Sequence, residues 1–254
     1  MSRSAQGIPT VQGLREGKPA VVARAITLLE QGGAGAEALR QSLANVARRS
    51  RRIVVTGPGG VGKSSLLREV CRLLRRDGER VAVVATDPSS VVTGGALLGD
   101  RCRFGDLLAD RGVFVRSLAH RGVAGKPAPA APVAADVLEV AGFDWVFLET
   151  VGTGQMDVGV FDQADVRVLV LAPECGDDVQ MLKAGLVEVA DLIAVGKSDQ
   201  PGADAWAQRL RQNVERGAGE QAPPVVGVSA QNGLGIESLV AELRQLAPSA
   251  RQRD

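Results

Sequence analysis

A glycine-rich loop constrains the fold of this chain more than any other feature. The loop is preceded by residues 52–56, which are short, apolar and β-branched, and followed by leucine and valine at helical spacing over residues 63–76. Strand, glycine loop and helix in this order predict a phosphate-binding loop, in which backbone amides and a helix N-terminus surround an anion. The predicted nucleotide-binding residues here are Gly57, Pro58, Gly59, Gly60, Val61, Gly62, Lys63, Ser64 and Ser65.

Two side chains of this loop carry specific chemistry. Lys63 is expected to reach the β- and γ-phosphates of a nucleotide, and the Ser64 hydroxyl is expected to bind Mg²⁺. Lys63 is therefore both a nucleotide-binding and a catalytic candidate. A chance glycine-rich turn is the alternative, which the flanking strand and helix disfavour.

Composition excludes several classes of protein. The 254 residues carry a net charge of +1 and only 3% aromatic residues, which gives nucleic acid neither a basic field nor a stacking platform. Cys71, Cys102 and Cys175 lie far apart and form no disulfide or zinc motif, as in a reducing compartment. The sequence has no secretion signal and no apolar run of membrane-spanning length, so we expect a cytoplasmic protein without nucleic-acid or membrane partners.

Short valine-rich segments alternate with helical segments along most of the chain. This alternation predicts an α/β fold of the P-loop NTPase kind, with a mostly parallel central sheet flanked by helices. Because ligands of such sheets bind at the carboxyl ends of the strands, the residues that follow each strand are the functional candidates. The predicted strands are residues 52–56, 80–86, 112–117, 144–149, 166–172, 191–196 and 224–228.

The same patterns divide the chain into three parts. Residues 1–49 are predicted as an N-terminal helical extension, residues 50–247 as the P-loop domain and residues 248–254 as a disordered tail. Within the extension, a loose lead-in precedes a helical stretch over residues 18–49 that breaks near residues 32–35. The final helix, residues 235–247, is expected to turn Ile236, Leu239, Leu243 and Leu246 inward.

Acidic residues follow two of the predicted strands. Asp87 and Asp100 after the second strand, with Glu149 at the end of the fourth, are candidates to hold Mg²⁺ directly or through water. Asp87 is explained equally well as a turn former. Glu149 is also a candidate to polarise the attacking water, and Gln155 to orient it, unless Gln155 is a solvated loop amide. Gly152 would let a backbone amide approach the γ-phosphate.

A further polar segment follows the fifth strand. Two acids there precede a predicted helix, and capping of that helix is the simpler explanation for them. The alternative is a second mobile segment that contacts the nucleotide or a partner. Its candidate residues are Asp177, Asp178, Gln180 and Lys183.

The last two strands are followed by a pattern typical of guanine recognition. Lys197 and Asp199 form a Lys-x-Asp pair, in which the carboxylate accepts hydrogen bonds from guanine N1–H and the exocyclic amine. Adenine cannot supply that pair of donors. The base edge would be supported by a backbone amide of the segment Ser229, Ala230 and Gln231.

Taken together, these motifs resemble the methylmalonyl-CoA mutase-associated GTPases of the MeaB/ArgK family of metallochaperones. The similarity runs from about residue 15 to about residue 245. It is dense in the phosphate-binding loop and in residues 84–90, 94–101, 149–152 and 176–191.

The resemblance implies a Mg²⁺-dependent GTPase that docks on an adenosylcobalamin-dependent acyl-CoA mutase. Such a protein gates cofactor loading and exchange of damaged cofactor, and the mutase stimulates its GTP hydrolysis. The resemblance implies that Asp87, Asp100 and Glu149 form the metal-binding and catalytic acid set, and that the segment around Asp177 is a switch loop that responds to the partner. The implied cofactors are GTP or GDP and Mg²⁺, and no tightly bound cobalamin is expected on this chain alone. Methylmalonyl-CoA, isobutyryl-CoA and hydroxyisobutyryl-CoA mutases all remain candidate partners.

Three departures from the family pattern are expected to matter. Gly196 stands where the family's Asn-Lys-x-Asp motif has asparagine, which removes a side-chain contact to the purine N7 edge. Met156 and Asp157 replace a serine and a glutamate after Gln155. Relatives also continue with a helical arm that pairs two copies, whereas only residues 248–254 follow the last predicted helix here, which leaves self-association open.

Three other functions are compatible with the same loop. A GTPase that inserts a metal such as nickel would usually carry clustered histidine and cysteine, and this chain has one histidine, His120. His120 is predicted in a solvated loop, and a position facing the nucleotide or a partner is the alternative. A small-molecule kinase would need an acceptor pocket, which the sequence does not identify. A structural protein with a vestigial nucleotide site is disfavoured by Lys63, Ser64 and Glu149.

Overall fold

A computed structural model describes residues 8–47, 49–88, 104–120, 131–150, 164–173, 186–219 and 222–247. The strands are β1 (Arg51–Thr56), β2 (Val81–Pro88), β3 (Val113–His120), β4 (Trp145–Glu149), β5 (Val166–Leu171), β6 (Leu192–Val195) and β7 (Val225–Gly227). The helices are α1 (Val11–Arg15), α2 (Pro19–Gln31), α3 (Ala34–Ala44), α4 (Lys63–Arg76), α5 (Ala131–Val140), α6 (Leu186–Val189), α7 (Ala203–Ala218) and α8 (Ile236–Leu246), with a 3₁₀ turn at Gly105–Ala109.

All seven strands join one sheet in the order β3-β2-β4-β1-β5-β6-β7, and every pairing is parallel. The α/β fold and the seven strands predicted from the sequence are thereby confirmed. From β1 the chain forms β2 and β3 on one side, returns to insert β4 between β1 and β2, and then builds β5, β6 and β7 on the other side of β1. This reversal places the carboxyl end of β1 at a switch point, where open sheets of this kind bind ligands.

Two strands run further than their sequence pattern indicates. β2 continues to Pro88 and β3 to His120, because the two backbones stay in register from Val81 opposite Val113 to Pro88 opposite His120. His120 therefore ends a strand, and its prediction as a loop residue was wrong.

The N-terminal segment forms three helices. The short helix α1 was not predicted, since its five residues are too few for a periodic pattern. The predicted break separates α2 from α3 at Gly32 and Gly33, which have φ of 74° and 86°, where glycine has no Cβ penalty. Helical structure ends at Ala44, short of the predicted residue 49.

Hydrophobic clusters cover both faces of the sheet. On one face, α4 and α8 pack on β1, β4 and β5; on the other, α1, α2, α3 and α5 pack on β1, β2 and β4. Three of the four predicted α8 contacts are buried, but Leu246 is 37% exposed and was predicted wrongly. It is the last residue of α8 and lies at the edge of the buried stripe, which Val240 completes.

The same pair of hydrogen bonds between an aspartate and an arginine recurs at the amino end of the sheet. An aspartate precedes each of β4, β5 and β6, and each one pairs twice with an arginine of the neighbouring strand or its lead-in. The aspartate N–H donates to the arginine carbonyl, and the carboxylate accepts from the arginine N–H at 2.7–2.8 Å. The pairs are Asp144 with Arg80, Asp165 with Arg52, and Asp191 with Arg167. These hydrogen bonds fix where the pairings of β4 with β2, β5 with β1 and β6 with β5 begin.

No helix within the described ranges is both long and apolar enough to cross a membrane.

Candidate functional site

The phosphate-binding loop joins β1 to α4 at the switch point of the sheet. Gly62, the residue before α4, has φ of 95°, and no side chain caps the first turn of the helix. The amides of that turn therefore face the loop, where an anion would accept their hydrogen bonds. Gly57 has φ of 143°, and a Cβ there would lie 2.1 Å from the Val170 carbonyl oxygen. Glycine is thus required at the point where the loop passes β5.

The Lys63 ammonium lies inside the loop that it follows. Its Nζ donates to the carbonyl oxygens of Gly57 and Pro58, at 2.9 Å each. Lys63 is only 7% exposed, so the loop holds a cation among its own backbone dipoles. A phosphate oxygen entering the loop would find this charge already positioned for it.

Ser64 and Glu149 come together from two different elements. Ser64 begins α4 and Glu149 ends β4, and Ser64 Oγ donates to Glu149 Oε1 at 2.7 Å. Both side chains are buried. Thr56 ends β1 and Thr150 follows β4, and their hydroxyls lie 2.9 Å apart. No sequence motif indicated this contact. The arrangement gathers oxygen ligands of the kind that Mg²⁺ prefers.

The loops after β6 and β7 form the second part of the site. Asp199 is exposed, while Gly196 is buried and its N–H donates to Leu171 O at 2.7 Å. Lys197 has φ of 56°, an uncommon conformation for a residue with a side chain. Such strain is found most often at functional positions.

The β7 end meets the β6 end through Ser198. The Ser198 N–H donates to Val228 O at 3.0 Å, and its hydroxyl to Val195 O at 2.8 Å. Ser229, Ala230 and Gln231 follow directly, and the Gln231 N–H lies 3.3 Å from the Ser229 hydroxyl. The structure thus brings the predicted base-recognition segments side by side.

The structure does not describe the side chains of several candidates. The backbone of Asp87 lies in β2 opposite Ala119, at the same edge of the sheet as the phosphate-binding loop, but its side chain is not described. The other candidates in this group are Asp100, Gly152, Gln155, Asp177, Asp178, Gln180 and Lys183. Their roles stay predictions.

Metal-binding clusters and reactive thiols are the other chemistry that the described residues could carry. They contain no cluster of three or more His, Cys, Asp or Glu side chains arranged for a metal ion. Cys71 lies on the buried face of α4, where desolvation raises the pKa of its thiol. A buried thiol with a raised pKa is a packing residue rather than a nucleophile.

Sequence comparison identifies relatives over most of the chain. The family described as methylmalonyl Co-A mutase-associated GTPase MeaB matches residues 22–253. A protein of Pyrococcus horikoshii is 38% identical over 240 residues, which is 92% of this chain and 76% of that protein. The GTPase ArgK of Escherichia coli is 39% identical over 194 residues, covering 75% of this chain and 59% of ArgK.

Structural comparison gives a matching result. The crystal structure of a LAO/AO transport system kinase superposes with a TM-score of 0.72 at 27% sequence identity. The match covers 97% of this chain and 77% of that one.

Proposed function

Because this chain belongs to the MeaB family of methylmalonyl Co-A mutase-associated GTPases, we propose that it hydrolyses GTP and serves an adenosylcobalamin-dependent acyl-CoA mutase as a chaperone. It docks on the mutase and gates loading of the cofactor and exchange of damaged cofactor. The observation that carries the proposal is the meeting of Lys63, Ser64 and Glu149 at one strand end, beside the Lys197-x-Asp199 loop.

The phosphates would be bound by the backbone of the loop and by Lys63. Lys63 exchanges the Gly57 and Pro58 carbonyls for β- and γ-phosphate oxygens, and the amides at the start of α4 stabilise the negative charge of the transferred group. This exchange requires only a small displacement of the Lys63 ammonium, because the two carbonyls belong to the loop that would surround the phosphates. The charge that develops in the transition state thus meets donors fixed before the substrate arrives.

A magnesium ion fits the oxygens that the structure gathers. Ser64 and Glu149 would hold it, with Asp87 and Asp100 as further predicted ligands. When bound, the ion neutralises charge on the phosphate oxygens. Glu149 would otherwise act on the attacking water, with Gln155 orienting that water. The Ser64–Glu149 hydrogen bond is compatible with metal binding, because the hydroxyl donates its proton to Glu149 while its oxygen lone pairs stay available to the ion.

Guanine would be selected by the exposed Asp199 carboxylate, which accepts from N1–H and the amino group. The stem of Lys197 packs on the base, and the Ser229–Gln231 segment supports its edge.

We further propose that residues 176–183 respond to the partner, and that the protein acts in the cytoplasm with residues 50–247 as its GTPase domain.

The test is nucleotide turnover by the purified protein, with and without the cobalamin-dependent mutase of the same organism. We expect turnover that is selective for GTP over ATP and that rises when the mutase is added. Absence of stimulation, preference for ATP, or a phosphorylated small-molecule product would overturn the proposal.

Lys63→Ala identifies the site responsible. We expect at least a roughly 100-fold loss of GTP turnover, the scale seen when a preorganised donor to a transition state is removed. Lys18→Ala is the matched control, because Lys18 is exposed and pairs only with Glu16 in the described structure. Mutase-stimulated turnover that survives Lys63→Ala would refute the site assignment.

A further inference from the structure

Two threonine hydroxyls join the ends of β1 and β4 beside the phosphate-binding loop. The register of these strands runs as far as Val55 opposite Glu149. One residue further along each strand, Thr150 Oγ1 donates to Thr56 Oγ1 at 2.9 Å. The Thr150 N–H also donates to Val55 O at 3.0 Å. The Thr56–Thr150 hydroxyl pair thus continues the link between the two strands through side chains.

This hydroxyl pair and the Ser64–Glu149 contact lie on opposite faces of the sheet. Successive side chains of a strand point to opposite faces. Val54 and Leu148, two residues before the threonines, belong to the hydrophobic cluster on the α5 face. Glu149 comes between Leu148 and Thr150, and it accepts from Ser64 of α4 on the other face. The end of β4 is therefore held from both faces.

Both threonines adjoin residues of the candidate site. Thr56 directly precedes Gly57, whose carbonyl accepts from Lys63 Nζ. Thr150 directly follows Glu149, the acid that is proposed to act on Mg²⁺ or on the attacking water. The hydroxyl pair therefore connects the backbone that carries this acid to the backbone that begins the phosphate-binding loop.

The pair is better suited to alignment than to stability. Both side chains are only partly buried, so water can reach the hydroxyls and the net gain from their bond is modest. Threonine is restricted at χ1, which limits the directions that each hydroxyl can take. Alignment of Glu149 matters more, because a misplacement of about 1 Å in a catalytic group can lower a rate by roughly 100-fold.

We propose that Thr56 and Thr150 are positioning residues, whose hydroxyl pair holds Glu149 in line with the nucleotide phosphates during GTP hydrolysis. The inference rests on the proposed function, because it concerns the acid of the same site. The hydroxyls act through the backbone of Glu149 and bind neither the nucleotide nor Mg²⁺. Their removal should therefore slow hydrolysis and leave nucleotide affinity unchanged.

Removal of each hydroxyl tests the proposal. Thr56→Val and Thr150→Val keep the branched shape of threonine, whereas Thr56→Ser keeps the hydroxyl. We expect kcat for GTP hydrolysis, per folded molecule, to fall about tenfold in both valine variants. The dissociation constant of GDP, measured by calorimetry with Mg²⁺, should stay within about twofold of the wild-type value. Thr56→Ser should keep kcat within about threefold of wild type, because serine supplies the same donor and acceptor.

The double valine variant shows whether the two hydroxyls act as one pair. If they do, its kcat should be no lower than that of either single variant. Losses that multiply in the double variant would contradict a shared role and overturn the inference. Thr27→Val is the matched control, because this threonine is also partly buried but bonds to Ala23 O within α2 and to Arg116. Its kcat should equal that of the wild type.

The remaining outcomes separate this inference from the proposed function. If both valine variants keep kcat within about twofold of wild type while Lys63→Ala abolishes turnover, the inference is wrong and the proposed function stands. Equal losses of kcat and of GDP affinity would mean that the pair shapes the whole nucleotide site, which also contradicts the inference. A wild-type protein that does not hydrolyse GTP overturns the proposed function, and the inference with it.

Discussion

The two ends of the parallel sheet hold their polar side chains in different ways. At the carboxyl end, Lys63 bonds to two loop carbonyls and Ser64 to Glu149, and the proposed nucleotide would offer Lys63 phosphate oxygens in place of those carbonyls. At the amino end, Arg52 is 2% exposed and bonds to Asp136 and to the buried Glu139. Both partners lie on α5, so these ion pairs join β1 to a helix distant in the chain.

The arginine beside it, Arg51, is held as firmly. Its Nε donates to Ala247 O at 2.7 Å, an Nη pairs with Glu79, and the guanidinium lies 4.5 Å from the Trp145 ring centroid. Burial is the main cause that lowers the pKa of Arg51. The carboxyl end therefore holds contacts that the proposed nucleotide would replace, whereas the amino end joins distant segments of the chain through ion pairs.

We expect the largest effect from removing the Arg52 ion pairs at the amino end of the sheet. Arg52→Met should lower the free energy of unfolding by about 3–5 kcal/mol, because it leaves the Glu139 charge buried without its guanidinium partner. Urea unfolding followed by circular dichroism measures this loss. GTP turnover per folded molecule should stay unchanged, since Arg52 lies at the opposite end of the sheet.

Arg68→Met is the matched control. Arg68 pairs with Glu69 on the partly exposed side of α4, where an ion pair contributes less than about 1 kcal/mol. Equal losses for the two variants would remove the distinction between the ends.

The next effect concerns two glycines of the phosphate-binding loop. Gly57→Ala should destabilise the protein by about 1–3 kcal/mol more than Gly60→Ala, because its Cβ would lie 2.1 Å from the Val170 carbonyl. Gly60, with φ of 80°, has no atom within 4 Å of the Cβ position, so its substitution carries backbone strain alone. Thermal unfolding of the two variants measures the difference.

The two glycine variants also test whether the carboxyl end of the sheet contains fixed contacts, as the amino end does. A large stability loss in Gly57→Ala would mean that the carboxyl end also contains a fixed contact, located at β5. Identical melting curves for the two variants would contradict the close packing of the loop on Val170.

The smallest effect is a pH dependence near α4. Hydrogen bonds from Arg75, and then from the Gly112 N–H, hold the pKa of Asp110 below its ordinary value of 3.8. The stability from this contact is present above that value and is lost as the pH falls through the lowered pKa of the folded state. Asp110→Asn should therefore cost less than about 1 kcal/mol at neutral pH, and the cost should shrink in acid.

Urea unfolding between neutral pH and pH 3 or below (roughly the range that spans the titration) checks the sign. Arg75→Met should flatten the same acid limb of the stability curve. A cost of Asp110→Asn that grows in acid would contradict the assignment.

Much of the fold and part of the site could be predicted from the sequence. Strand, glycine loop and helix are local patterns, so β1, residues 57–62 and α4 were placed correctly within one residue. Strand ends were less predictable, because the extension of β3 to His120 depends on its neighbour β2. The sequence predicted which strand end carries each candidate side chain, but it did not predict which of these side chains contact one another.

Local sequence patterns were sufficient to predict the alternation of strands and helices, the phosphate-binding loop and the strand ends that carry polar residues. These follow from local periodicity and from the few conformations that glycine runs and β-branched runs adopt. Tertiary structure alone decided the strand order, the pairing of Arg52 with Glu139 and the contact of Thr56 with Thr150. Those contacts join residues far apart in the chain, and no local pattern records which segments will become neighbours once the sheet has formed.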